Sequence, residues 1–157
     1  MASILIIDAD DDAAEFTAFI CRQMHHQVRI INRLEDMLAA IEGPRIDAKL
    51  QQDQIKSEQP LNDELNHAPV PPQMIFIDPI SLLLPSPSIP VSSDEASSPL
   101  MQLKTLNQPL PAMLIQTPSF DDRLQRQAKD LGCLAYLIKP VDPDYVESQL
   151  KRLMPGC

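Results

Sequence analysis

Three apolar runs in this chain each stop dead at an ionisable residue: Ile4–Ile7 at Asp8, Met74–Ile77 at Asp78, and Leu134–Ile138 at Lys139-Pro140. Runs this short and this continuous have no polar face, so they fit strands covered on both sides, as in parallel sheets. A buried strand that ends on a charge delivers that charge to the rim of the sheet, where open parallel α/β sheets bind ligands at the strands' carboxyl ends. Two carboxylates and one ammonium meeting there point to chemistry with phosphate and a divalent cation.

Five strand segments alternate with helical patterns, which predicts a doubly wound, flavodoxin-like α/β fold with a five-stranded parallel sheet and helices on both faces. The strands expected are Ser3–Asp8, Val28–Ile31, Met74–Asp78, Met113–Thr117 and Leu134–Ile138. The acids after the first strand supply an N-cap and negative charge for the positive end of a helix. Phe16, Phe19, Ile20 and Met24 mark the expected buried face of that helix, and Leu34, Met37, Leu38 and Ile41 that of a second, closed by Gly43. Ser98-Pro99 starts a third helix. A fourth runs from near Ser119 to Gly132, and the last is announced by Asp142 as cap with Pro143 in its first turn.

Length and charge set the outer bounds. At 157 residues, 44% of them hydrophobic, the chain fits one domain, residues 1–155, since domains usually run about 100–200 residues. Twelve of the 16 prolines fall between Pro60 and Pro118. That shift marks two insertions, at about 44–73, with a short helix around 48–57, and at 79–97. No apolar run approaches the roughly 18 residues of a membrane span, and no signal peptide is visible, so the expected location is the cytoplasm. A net charge of −9 argues against a nucleic-acid surface, which needs clustered Lys and Arg. Cys21, Cys133 and Cys157 are too far apart for a zinc knuckle or a disulfide framework. Cys21 and His25, four apart, could share a helix face, but two ligands do not make a metal site.

The order of these strings resembles the receiver domain of bacterial response regulators. The resemblance is tightest at 128–143, where Ala128-Lys-Asp-Leu-Gly132-Cys-Leu-Ala-Tyr136-Leu-Ile-Lys139-Pro140-Val-Asp142-Pro143 matches that family's helix, glycine turn, fifth strand, lysine-proline and final-helix start. The resemblance implies a signalling module of a two-component phosphorelay rather than an enzyme: Asp78 accepts a phosphoryl group, by its own catalysis, from a histidine kinase or phosphotransfer protein, and a downstream protein effector reads the result. It makes Thr117 and Lys139 the hydroxyl and fixed cation beside that group. Asp8 and Asp78 become ligands of Mg²⁺, and Tyr136 the residue coupling the site to an output face at 119–131 and 141–153. The lysine–proline bond is expected to be cis.

This chain departs from the family pattern at three positions. Ala9 stands where the principal metal-binding acid belongs, which weakens the Mg²⁺ site, and Asp10 or Asp11 would have to shift to replace it. Pro79 and Pro118 follow Asp78 and Thr117, where the family uses backbone N–H groups to cradle the phosphoryl oxygens, and proline has none. At about 1.5–3 kcal/mol for each lost hydrogen bond to a charged group, these changes describe an atypical receiver, for which two versions stand: a phosphoacceptor, or a receiver-like module acting through protein contacts independently of phosphorylation, with the balance towards impaired phosphorylation. A rival from another class remains. Asp8-Ala9-Asp10 also resembles the first motif of haloacid-dehalogenase-type phosphohydrolases, with Asp8 as nucleophile, Asp10 as general acid, and Thr117 and Lys139 as later motifs. The chain lacks the further acid-bearing strand such enzymes carry after the lysine.

Overall fold

The computed structural model describes residues 1–42, 70–83, 98–106 and 108–155. Gly43, most of both expected insertions and the short helix expected around 48–57 lie outside these residues.

The elements follow the expected order: β1 (Ser3–Ile7), α1 (Asp11–Gln23), β2 (Gln27–Ile31), α2 (Leu34–Glu42), β3 (Met74–Ile77), α3 (Pro99–Leu103), β4 (Ala112–Thr117), α4 (Asp122–Asp130), β5 (Ala135–Ile138) and α5 (Pro143–Leu153). The five strands form one sheet in the order β2-β1-β3-β4-β5, all parallel. Strand side chains alternate between the two faces, and here each face carries its own core. Ile4, Ile6, Met74, Phe76, Leu114 and Leu137 pack against Ala14, Ala18 and Cys21 of α1 and Val146 and Leu150 of α5. Leu5, Ile7, Ile75, Ile77, Met113 and Ile115 pack against Met37 and Ile41 of α2, Leu100 and Leu103 of α3, and Leu124 and Ala128 of α4. Both faces are buried, so the strands have no reason to alternate polar with apolar residues.

Local chemistry sets the helix ends. Asp10, Asp121 and Asp142 each accept backbone N–H groups of the first turn of α1, α4 and α5, with Pro143 opening α5. Gly132 follows the C-cap of α4 with φ of 77°, a left-handed conformation that costs glycine little. Ser98 does begin α3, but its hydroxyl bonds Gln127 Oε1 across to α4 rather than capping its own helix.

Three readings of the helices need correction. The buried face of α1 is Ala14, Thr17, Ala18, Ile20 and Cys21, whereas Phe16 and Phe19 are 43% and 57% exposed. Small residues at positions 14, 18 and 21 let the helix backbone come close to the sheet, and this turns the aromatic pair outward. Helix α4 starts at Asp122, not near Ser119, because Asp121 caps it and 118–120 form the loop above β4. Cys21 and His25 share no helix face, since α1 ends at Gln23 and His25 sits at φ of 62° beyond it.

Candidate functional site

Strand register, rather than loop geometry, assembles the site. Ile7 pairs with Ile77, Ile77 with Ile115, and Gln116 with Leu137. The next residue along each of the three central strands is therefore Asp8, Asp78 or Gln116, side by side in one row and pointing to the α1/α5 face. Backbone bonds extend the ladder through the acids themselves, Asp8 N–H to the Ile31 carbonyl and Asp78 N–H to the Ile7 carbonyl. Lys139, two residues beyond Leu137, shares the phase and reaches back into the row from β5. The Lys139–Pro140 bond is cis.

Lys139 Nζ lies 2.6 Å from Asp8 Oδ2 and 2.6 Å from Asp78 Oδ2, bridging the two carboxylates. Their side chains are 0% and 1% exposed and that of Lys139 is 11% exposed. Burial alone would lower the ammonium's pKa, but its hydrogen bonds and charge contacts with Asp78 and Asp8 outweigh desolvation and leave it raised above the ordinary 10.5. The remaining acceptor capacity is taken up by neutral donors. Asp8 Oδ2 also accepts from Gln116 Nε2 at 3.0 Å, and Asp8 Oδ1 accepts from Ser81 Oγ at 3.0 Å and from Asp10 N–H at 2.9 Å. Asp78 Oδ1 accepts the Ile80 and Ser81 N–H groups at 2.9 and 3.1 Å, capping a single 3₁₀ turn at Ser81–Leu83. Ser81 Oγ in turn accepts from Ala9 N–H at 3.0 Å. Among the described residues, no buried side-chain nitrogen or oxygen lacks a partner.

Thr117 stands at the same edge but in the opposite phase, on the α4 face. Its hydroxyl donates to the Ser119 carbonyl at 2.7 Å and lies 3.1 Å from the Tyr136 hydroxyl. The Tyr136 ring meets Phe120 with centroids 5.7 Å apart. The structure thus brings Asp8, Asp78 and Lys139 into direct contact and joins Thr117 to Tyr136 as a neighbouring pair. Asp10 is spent on the cap of α1.

Two residues of the site, Gln116 and Ser81, escape the sequence reading. Gln116 carried a usable signal, a lone amide inside an apolar run, one residue before Thr117 and in phase with the acids. Ser81 carried none, because it falls in the Pro79–Ser97 stretch that reads as an insertion.

Structural comparison fits this topology. A two-component response regulator from Clostridium difficile superposes with a TM-score of 0.63 at 15% identity, over 99% of this chain and 98% of that one. A CheY-like response regulator receiver domain protein from Methanospirillum hungatei gives 0.60 at 19%, over 98% and 94%. The chemotaxis protein CheY4 of Vibrio cholerae gives 0.58 at 15%, over 98% and 99%. The fold is that of a response-regulator receiver domain. No family model and no curated protein matches the sequence. Among the described residues, no helix is long and apolar enough to cross a membrane.

A receiver fold implies a divalent cation at this edge, and the residues present do not fit one. Mg²⁺ is held by carboxylate oxygens in near-ideal octahedral geometry. Position 9 offers a methyl group, and Asp8 and Asp78 point their oxygens at seven donor contacts. Among the described residues, no three His, Cys, Asp or Glu side chains gather where they could hold a metal ion.

Proposed function

We propose that this chain is a receiver module of two-component signalling that works chiefly through protein contacts, with phosphoryl acceptance at Asp78 impaired. The observation that carries this reading is the Lys139 bridge: Asp78, the residue in the phosphoacceptor position, is fully covered, with one oxygen on two backbone N–H groups and the other on an ammonium. A carboxylate so held is a poor nucleophile, because attack must first break a charge-assisted hydrogen bond. In the reaction the resemblance implies, an Asp78 oxygen forms a bond to the phosphorus of a phosphohistidine. The P–N bond breaks, its electron pair returns to the imidazole, and that ring takes up a proton. The neighbouring positions that would steady the moving oxygens with N–H groups hold Pro79 and Pro118, and the groove leading to Lys139, about 400 Å³, is lined at its mouth by Asp10 and Asp12. Negative charge at that mouth repels an incoming phosphate.

The protein-contact side of the reading is supported by β5 and its flanks, where Phe120, Leu134, Ile138 and Tyr145 are exposed. A downstream protein on this side would lie beside the Tyr136–Thr117 pair, with a histidine kinase or phosphotransfer protein as the upstream partner. The test is phosphorylation of the purified protein by a small acyl phosphate, read by intact mass beside Asp78→Asn. Little or no mass gain is expected. Rapid, complete gain of one phosphoryl group that Asp78→Asn abolishes would make the chain an ordinary phosphoacceptor instead.

A further inference from the structure

We infer that this pocket operates without a divalent cation, Lys139 serving as the counter-ion shared by Asp8 and Asp78, with Gln116 and Ser81 as the positioning residues that hold Asp8 closed to metal. The inference rests on reading the pocket as a receiver's, and it concerns what replaces the ion there.

An ionised carboxylate offers about four lone-pair directions. All four of Asp8 are in use, two by Gln116 Nε2 and Lys139 Nζ on one oxygen and two by Ser81 Oγ and Asp10 N–H on the other. Asp78 has three in use. A cation entering here must strip donors from Asp8 and push aside an ammonium that has both carboxylates as partners. The missing ligand at Ala9 gives it nothing in return.

Gln116 is built to keep this state. Its side chain is fully buried, and its carbonyl oxygen accepts from Thr17 Oγ1 at 3.1 Å. The acceptor-only Asp8 carboxylate fixes the orientation of the amide, because a flip would put the carbonyl oxygen against it. Thr17 of α1 satisfies the carbonyl oxygen of the amide so held and ties it to the helix. Ser81 does the same from the other side: its hydroxyl accepts from Ala9 N–H and donates to Asp8 Oδ1, tying the loop after β3 to the loop after β1. Both devices are neutral donors aimed at one of the two acids that a metal would need.

The test uses ¹⁵N-labelled full-length protein titrated with Mg²⁺, and separately with Mn²⁺ for paramagnetic broadening. In the wild type, the amides of Asp8–Ala13 and of Asp78, Ile80 and Ser81 are expected to show no saturable shift and no selective broadening at millimolar metal. Ala9→Asp with Gln116→Leu, which restores an acid and removes a donor, is expected to bind at least about tenfold more tightly, or about 1.4 kcal/mol. Ala9→Asp alone serves as the second variant if the double variant does not fold. Saturable shifts in the wild type at those amides would overturn the inference, and so would a silent wild type whose folded variants gain no affinity. The outcome is separable from the reading above: saturable Mg²⁺ binding without phosphorylation of Asp78 would sink the inference alone, whereas metal-independent phosphorylation of Asp78 would sink the impaired-acceptor proposal alone.

Discussion

The two faces of one sheet edge are built on different principles. On the α1/α5 face, Asp8, Asp78, Gln116 and Lys139 form a closed network of charges and amides with every buried group paired. On the α4 face, Thr117 and Tyr136 meet through two hydroxyls and one carbonyl, beside an exposed Phe120. Charged groups taken from water are costly unless paired, so the first face tolerates no partial rearrangement. The second can exchange one hydroxyl contact for another at small cost. One edge of a sheet can thus be closed by paired charges on one face and held by exchangeable hydroxyl contacts on the other.

The largest blow to that contrast comes from Lys139→Met, which leaves two carboxylates side by side in the interior. Removing one member of a buried charge network costs about 3–5 kcal/mol, so the urea midpoint is expected to fall steeply. A loss under about 1 kcal/mol, the size of a surface ion pair, would show that the bridge contributes little and that both faces are alike. The pH dependence of the wild type has a defined sign. The Lys139 pKa is raised in the folded state, so its contribution is fully present below the unfolded value of about 10.5 and is lost as pH rises through the folded value. Lys139→Met is expected to lack that alkaline loss, which a comparison of denaturation midpoints below and above pH 10.5 would read.

Tyr136→Phe is the matching change on the other face. The hydroxyl 3.1 Å from Thr117 is removed, while Thr117 keeps the Ser119 carbonyl and the ring keeps Phe120. The expected loss is about 0.5–1.5 kcal/mol, the net value of one ordinary hydrogen bond. A cost as large as that of Lys139→Met would end the distinction between a rigid and an adjustable face.

How far the sequence discloses this arrangement depends on what kind of signal each part leaves. Strands buried on both faces leave uninterrupted apolar runs, so β1 and β3 and the charges at their ends are plain; the edge strand β5 keeps such a run despite its partial exposure, and the aspartate caps of α1 and α5 are plain as well. Helix–sheet distance leaves no such trace. Phe16 and Phe19 are the largest apolar residues of α1, yet the small Ala14, Ala18 and Cys21 decide which side packs. Gln116 hides because continuity of hydrophobicity, not alternation phase, dominates the reading of a buried strand. Ser81 acts only through tertiary position, since nothing local couples it to Asp8, 73 residues away.

The smallest expected effect leaves stability unchanged and measures the two faces in one experiment. Cys21 lies in the core under α1, and Cys133 packs partly buried beside the α4 cluster. Burial pushes the thiols up to about 12 and about 11, respectively. Only the thiolate is alkylated, so at pH 8 both should resist iodoacetamide in the native state, with Cys157 separated from them by peptide mapping. As urea is added below the unfolding midpoint, Cys133 is expected to label first and with a smaller urea dependence than Cys21, because opening the α4 side parts the apolar contacts of one short helix and disturbs no buried charged group. Cys21 should follow with a slope close to that of global unfolding, since exposing it means parting α1 from the Thr17–Gln116–Asp8 chain. Equal slopes at the two thiols would mean that the edge opens as one unit, and the faces would then differ in chemistry but not in mobility.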